Sequence, residues 1–303
     1  GADAGPVLVG LTVLNVVIFF GAAFAAGYLL NRRVLAGCVS GLTLWLVHGS
    51  DAFFGLGIPF VCATSLMSLF LTLRLTGAGH ALVHGLLLGV IFAQHAFVGL
   101  AGGAVAAGLM LTDLWHSVRA HRRNMRGFFI EGLWLAGGFL LVSWRWLWLQ
   151  FSLRGELSSV NAHAVAGYPV EAQTLAWLLG GTVLCAFLAL AAGSRRESRQ
   201  TWFLACMGMV LTVGCFPAVN QMLSSELSWF MARRIPLLFP YGLAAAVGSS
   251  LLLGAVERGS GQRGWAIPAL LVACVLLGCG MLRQGMFHLY LVRTDQYKQH
   301  RYG

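Results

Sequence analysis

The sequence predicts an all-α fold, a polytopic transmembrane helical bundle of about ten spans. Three observations carry this expectation. First, of 303 residues 58% are hydrophobic and only 10% charged, where a soluble domain carries about 25% charged residues. Second, the mean hydropathy is +0.77. Third, the apolar residues come in runs of about twenty, the length that crosses a hydrocarbon core, and short polar clusters separate them. A soluble globular protein, a disordered chain and a nucleic-acid module are excluded, despite a net charge of +10 and a pI of 9.8. The spans consume the chain, so residues 1–303 are read as one integral-membrane domain with no soluble domain.

The first span, 6–30, is apolar apart from Asn15 and stops at Arg32 and Arg33. It is too long for a signal peptide and lacks a basic leader. The second, 34–50, ends on His48 and is followed by Asp51. The third, 57–73, stops at Arg74. The fourth, 79–98, carries His80, His84 and His95. Gly99, Gly102 and Gly103 then suggest a tight hairpin into a fifth, 101–116. That run is short, and a re-entrant segment there leaves about nine spans. The sixth, 128–150, ends in Trp144, Trp146 and Trp148, an aromatic belt from which Arg145 can snorkel. The remaining spans are 172–193, 202–222, 235–255 and 265–290, the last with Arg283 inside it.

Charge orients the bundle. With the N-terminus outside, the basic residues concentrate on inner loops, most densely in 116–127, as the positive-inside rule requires. Asp113 and Glu131 flank that loop and either line a proton path or pair with Arg119 or Arg126. The seven cysteines all fall in apolar runs without a CxxC pair, and read as small buried residues. Gly85-xxx-Gly89 permits close helix packing.

Nine histidines are many for so apolar a chain, and polar groups within a bilayer invite functional hypotheses. His84 and His95 lie eleven positions apart. They therefore share a helix face, about 20° apart in azimuth and ~16 Å apart along the axis. That separation suits stacked sites, one per leaflet, of the kind that hold heme b between histidines of different helices. His48 lies at the level of His95 and forms the expected outer pair. His84 with His116 forms the inner pair. His288, His80 and His121 are further candidates. Desaturase-like di-iron boxes lack their third histidine cluster. Asp51 can orient His48 or pass a proton. Arg283, an intramembrane charge, is expected to face a polar interior and bind a quinone carbonyl, a heme propionate or a carboxylate.

Two stretches resemble the membrane subunits of the polysulfide-reductase (NrfD-type) and DMSO-reductase-anchor families. VVIFFGAAFAAGYLL at 16–30 is similar to their first span, and LLGCGMLRQGMF at 276–287 to their arginine-bearing last span. LTDLWHSVRAHRR at 111–123 is distantly similar to their Asp-Leu loop but lacks its Gly-x-Pro. The resemblance implies a quinone-reactive subunit beside an iron–sulfur protein. Many such subunits carry no heme.

The leading expectation is an integral-membrane subunit of a respiratory or redox complex, exchanging electrons and protons with a quinone. Heme b is its second cofactor, on the histidines named, and Arg283 and Asp51 serve quinone binding or proton movement. The lipid bilayer and other subunits are its partners. One rival is a proton-coupled small-solute transporter or channel, and another is a noncatalytic scaffold subunit. No nucleotide loop, HExxH or GxSxG motif is present.

Overall fold

A computed structural model describes residues 4–48, 59–119, 125–152, 172–191, 195–226 and 234–257. Asp51, Arg283 and the 265–290 span lie outside the described residues. The described chain is all-helical. Its helices are α1 (Ala4–Asn31), α2 (Val34–His48), α3 (Pro59–Thr76), α4 (Ala81–Gln94), α5 (Ala96–Arg119), α6 (Met125–Ser152), α7 (Ala172–Ala191), α8 (Arg195–Cys215), α9 (Pro217–Glu226) and α10 (Tyr241–Glu257), with a 3-10 turn over Ile235–Leu238.

Among the described residues three stretches are long and apolar enough to cross a membrane: Val9–Asn31, Ala96–Trp115 and Arg126–Leu149. One of them lies within α5, so the fifth run is not too short for a span. The helix begins earlier than the glycines suggest. The chain leaves helical geometry only at His95 (φ −153°, ψ 101°) and re-enters it at Ala96. The glycines instead let α5 fold back against α4. A Cβ on Gly99 would collide with the Phe92 backbone, and one on Gly102 would press on Leu88.

The eighth and ninth runs are also broken where the sequence reads as continuous. Phe216 is a bend and Pro217 starts α9, because proline fits a helix's first turn but removes an interior donor. Asn220 Nδ2 donates to the Gly214 carbonyl across this break, at 3.3 Å. Pro236 and Pro240 similarly confine Ile235–Leu238 to one 3-10 turn before α10. The Tyr241 hydroxyl closes that turn on the Pro236 carbonyl at 3.1 Å.

α3 is the central helix, buried along most of its length. It runs parallel to α1. Cys62, Ser65 and Thr72 donate to the carbonyls of Asn15, Phe19 and Ala26 at 3.8, 2.5 and 3.3 Å. Such side-chain bonds join helices where apolar surroundings give little other selectivity. α4 runs antiparallel to α3 and parallel to α6. A Cβ on Gly85 would strike the Leu135 carbonyl, one on Gly89 would strike Val142, and one on Gly138 would strike the Leu82 carbonyl. The α4–α6 seam is therefore backbone against backbone. α10 closes on α2 where Gly242 meets Ser40 and Leu44. Phe70 and Leu71 of α3, Ile91 of α4, Leu204 of α8 and Leu243 of α10 are almost fully buried at the centre.

The outside of the bundle is apolar. Leu133 is 77% exposed, Leu141 70% and Trp148 67% on α6 alone. Apolar surface of this extent marks a membrane or partner interface.

Candidate functional site: two histidine–arginine clusters

Polar side chains gather at both ends of the α3–α4 pair. At one end, His95 joins α4 to α5, His48 closes α2, and Phe60 opens α3. The Phe60 ring meets both imidazoles edge-on, His48 at 6.1 Å and His95 at 5.0 Å between centroids. The Arg234 guanidinium reaches in from just before the 3-10 turn. Its carbon lies 4.6 Å from the Phe60 ring centre, and its Nη1 is 3.3 Å from His95 Nε2. A guanidinium over an aromatic face is held by the ring's quadrupole. His48 Nε2 lies 3.0 Å from the Thr64 hydroxyl. Thr64 spends its proton on the Val61 carbonyl at 2.8 Å, so it accepts from His48 Nε2–H.

The α4–α6 register sets the depth of this cluster. Gly89 faces Val142, so His95, six positions further on, lies near the level of Trp148. Trp144, Trp146 and Trp148 are exposed around that end. Indoles collect where hydrocarbon meets headgroups.

At the other end, Arg74 of α3 donates to Glu131 of α6 at 2.5 Å and to His84 Nδ1 of α4 at 3.4 Å. The Arg74 side chain is only 6% exposed and the Glu131 side chain 44%. His84 Nε2–H donates to the Ala78 carbonyl at 2.7 Å, tying down a turn in which Gly77 and Gly79 hold positive φ (66° and 89°). His80 caps α4, its Nδ1 accepting from Leu82 N–H at 3.2 Å, and its ring meets Trp134 at 5.5 Å. Glu131 thus pairs with Arg74, and Asp113 with Arg199 at 3.1 Å. The Asp113–Arg199 pair is exposed on both sides and contributes little.

Of the expected ligand pairs, His48 and His95 share Phe60 as a common neighbour. His84 and His116 are not brought together. α5 runs antiparallel to α4, with Gly99 against Phe92 and Gly102 against Leu88, and this register carries His116 about 14 Å past the level of His84. A heme needs one free nitrogen on each axial imidazole. In this arrangement the Nε2 atoms of His48 and His95 are engaged by Thr64 and Arg234, and both nitrogens of His84 are engaged. As arranged, His84 has no free nitrogen, while His95 keeps Nδ1 without a partner. Among the described residues no group of three or more His, Cys, Asp or Glu side chains is placed to hold a metal ion.

Phe60, Thr64, Arg74 and Arg234 do not stand out in the sequence as site residues. Arg74 and Arg234 read there as loop charges that set orientation. A signal was present in the Arg233–Arg234 pair immediately before Ile235 and Pro236, where a rigid turn fixes the direction of the neighbouring side chain.

Among the described residues, fold and surface define the class: an all-helical protein with many exposed apolar side chains, some of whose helices suit a bilayer, and with histidine–arginine clusters at both ends of the α3–α4 pair. No family model matches the chain, and neither a curated protein nor a solved structure matches it.

Proposed function

We propose that the chain is an integral-membrane subunit of a redox complex that takes a quinone at its His95 end. About ten spans cross the bilayer in this reading, with the N-terminus and the His95 end outside. One observation carries it. Two imidazoles and a guanidinium surround an aromatic ring at the level of the tryptophan belt. A lipid-soluble ligand with a polar head needs this combination: an aromatic face to pack on, N–H donors for its oxygens, and access from the bilayer near its boundary. A quinone headgroup is such a ligand. Asp51 and Arg283 belong to the same reading as proton-moving or quinone-binding groups. An electron-carrying partner, an iron–sulfur protein in the leading version, supplies the redox equivalents. Heme b, on His48, His95, His84 or His116, is the second cofactor of this reading, and a ligand role for His84 requires that its Arg74 or Ala78 bond be exchanged.

The test is purification in mild detergent, solvent extraction and chromatography of bound quinone, with reduced-minus-oxidised visible spectra on the same sample. About one quinone per chain is expected. A monodisperse preparation that neither retains nor rebinds quinone contradicts the reading. Stoichiometric b-type heme supports the second cofactor.

A second reading, a proton-coupled transporter, draws support from the Arg74–His84–Glu131 cluster. A largely buried arginine shared between helices is the kind of group a carrier uses to couple ion and solute. Solute flux into liposomes, abolished in Glu131→Gln, favours it over both the redox reading and a noncatalytic scaffold.

A further inference from the structure

We infer that Arg234 fixes the tautomer of His95, so that the buried Nδ1–H of His95 is left as an unspent hydrogen-bond donor for an uncharged oxygen, the carbonyl of a quinone headgroup. The inference rests on the quinone reading and adds which atom does the binding and which residue prepares it.

The argument compares the two histidines on α4. A guanidinium has only donors. At His84, Arg74 donates to Nδ1, so the ring proton is on Nε2, where the Ala78 carbonyl accepts it. Both nitrogens are spent, and that imidazole is a structural cross-link. At His95 the arginine is on the other nitrogen. Arg234 donates to Nε2, so the ring proton is on Nδ1. That Nδ1 is buried and has no hydrogen-bond partner. The neighbouring Gln94 Oε1 is likewise buried and without a partner. Buried polar atoms are almost always paired, and an orphan calls for an explanation. The two arginine–histidine pairs thus differ at the imidazole: Arg74 and the Ala78 carbonyl account for both nitrogens of His84, whereas Arg234 on Nε2 leaves the Nδ1–H of His95 without a partner. A carbonyl oxygen satisfies Nδ1–H. Arg234 acts through His95 and is a positioning residue.

The experiment uses the full chain in lipid bilayers with 15N-labelled histidine. The nitrogen that carries the proton is read from its chemical shift and N–H coupling, and His95 is assigned by its absence in His95→Gln. Wild type is expected to show Nδ1–H at His95 and Nε2–H at His84. Arg234→Met should convert His95 to a mixture of both tautomers, and Arg234→Lys, which still donates, should restore Nδ1–H. Retention of the His84 signal in Arg234→Met shows that the variant is folded. A benzoquinone with a decyl tail should shift the His95 Nδ1–H signal, and Arg234→Met should weaken its binding at least about fivefold. A wild-type His95 protonated on Nε2 overturns the inference whatever the quinone does. Saturable quinone binding that leaves His95 unmoved also overturns it, with the quinone reading intact. A correct tautomer without any quinone binding sinks the quinone reading and with it the assigned ligand.

Discussion

Arg74 is the residue whose surroundings are most demanding. It is buried beside an imidazole that can only accept from it and a carboxylate that is half exposed. Removing one partner of such a pair costs more than the pair itself contributes, because the other charge stays buried. Glu131→Gln keeps an oxygen acceptor for Arg74, and is expected to lower stability by about 1–2 kcal/mol in thermal or denaturant unfolding in detergent. Glu131→Leu leaves the guanidinium without that acceptor and is expected to cost more, about 3 kcal/mol. Equal losses in the two variants would mean that the bond to Glu131 is not what holds Arg74. The sequence showed the charges but not their pairing. Glu131 stands 57 positions from Arg74, and Arg234 stands 139 from His95. Hydropathy and local spacing carry no signal across such separations, so the site was legible only as a set of histidines. Span counting put His48 and His95 at one level, and both rings meet Phe60. It could not find Phe60 or Arg234 themselves.

At the scale of the element, the α4–α6 seam makes the sharpest distinction. Gly137 and Gly138 are neighbours on α6, but a Cβ on Gly138 would collide with the Leu82 carbonyl and the Leu86 nitrogen, whereas one on Gly137 meets nothing within 4 Å. Gly138→Ala is expected to destabilise by about 1–3 kcal/mol through forced helix separation. Gly137→Ala is expected to be neutral or to stabilise by up to about 1 kcal/mol, since alanine is the better helix former. Unfolding of the two variants side by side checks this, and comparable losses would contradict a close-packed seam. The existence of these helices was readable because a long apolar run between polar clusters has few other solutions in a bilayer. Their breaks were not. A single non-helical residue at His95 leaves no trace in hydropathy, and the glycines after it looked like the turn although they serve the contact with Phe92 and Leu88. Pro217 sits in an apolar run that reads as continuous, and only the bend at Phe216 separates α8 from α9.

The described helices carry a histidine–arginine cluster at each end of the α3–α4 pair and many exposed apolar side chains, an exterior that water alone does not suit. The charge distribution predicts that the His84 level faces inward and the His95 level outward. In a background without native cysteines, Arg32→Cys is expected to react with a membrane-impermeant maleimide only in inside-out vesicles, and Ser152→Cys only in right-side-out vesicles. The opposite pattern would invert the orientation, and equal labelling would contradict the crossing of α6. The two levels also divide labour in this account. One holds helices together through Arg74, and the other keeps an unspent donor on His95 beside Phe60 near the tryptophan belt. The most direct test of that division is a titration of the protein in bilayers with a decyl-tailed benzoquinone, followed through tryptophan fluorescence. Saturable quenching is predicted, with the dissociation constant raised about tenfold in His95→Ala, equivalent to ~1.4 kcal/mol, and unchanged in a folded His84→Gln. Quenching that never saturates, or that is the same in wild type and His95→Ala, would contradict a quinone site at the His95 end.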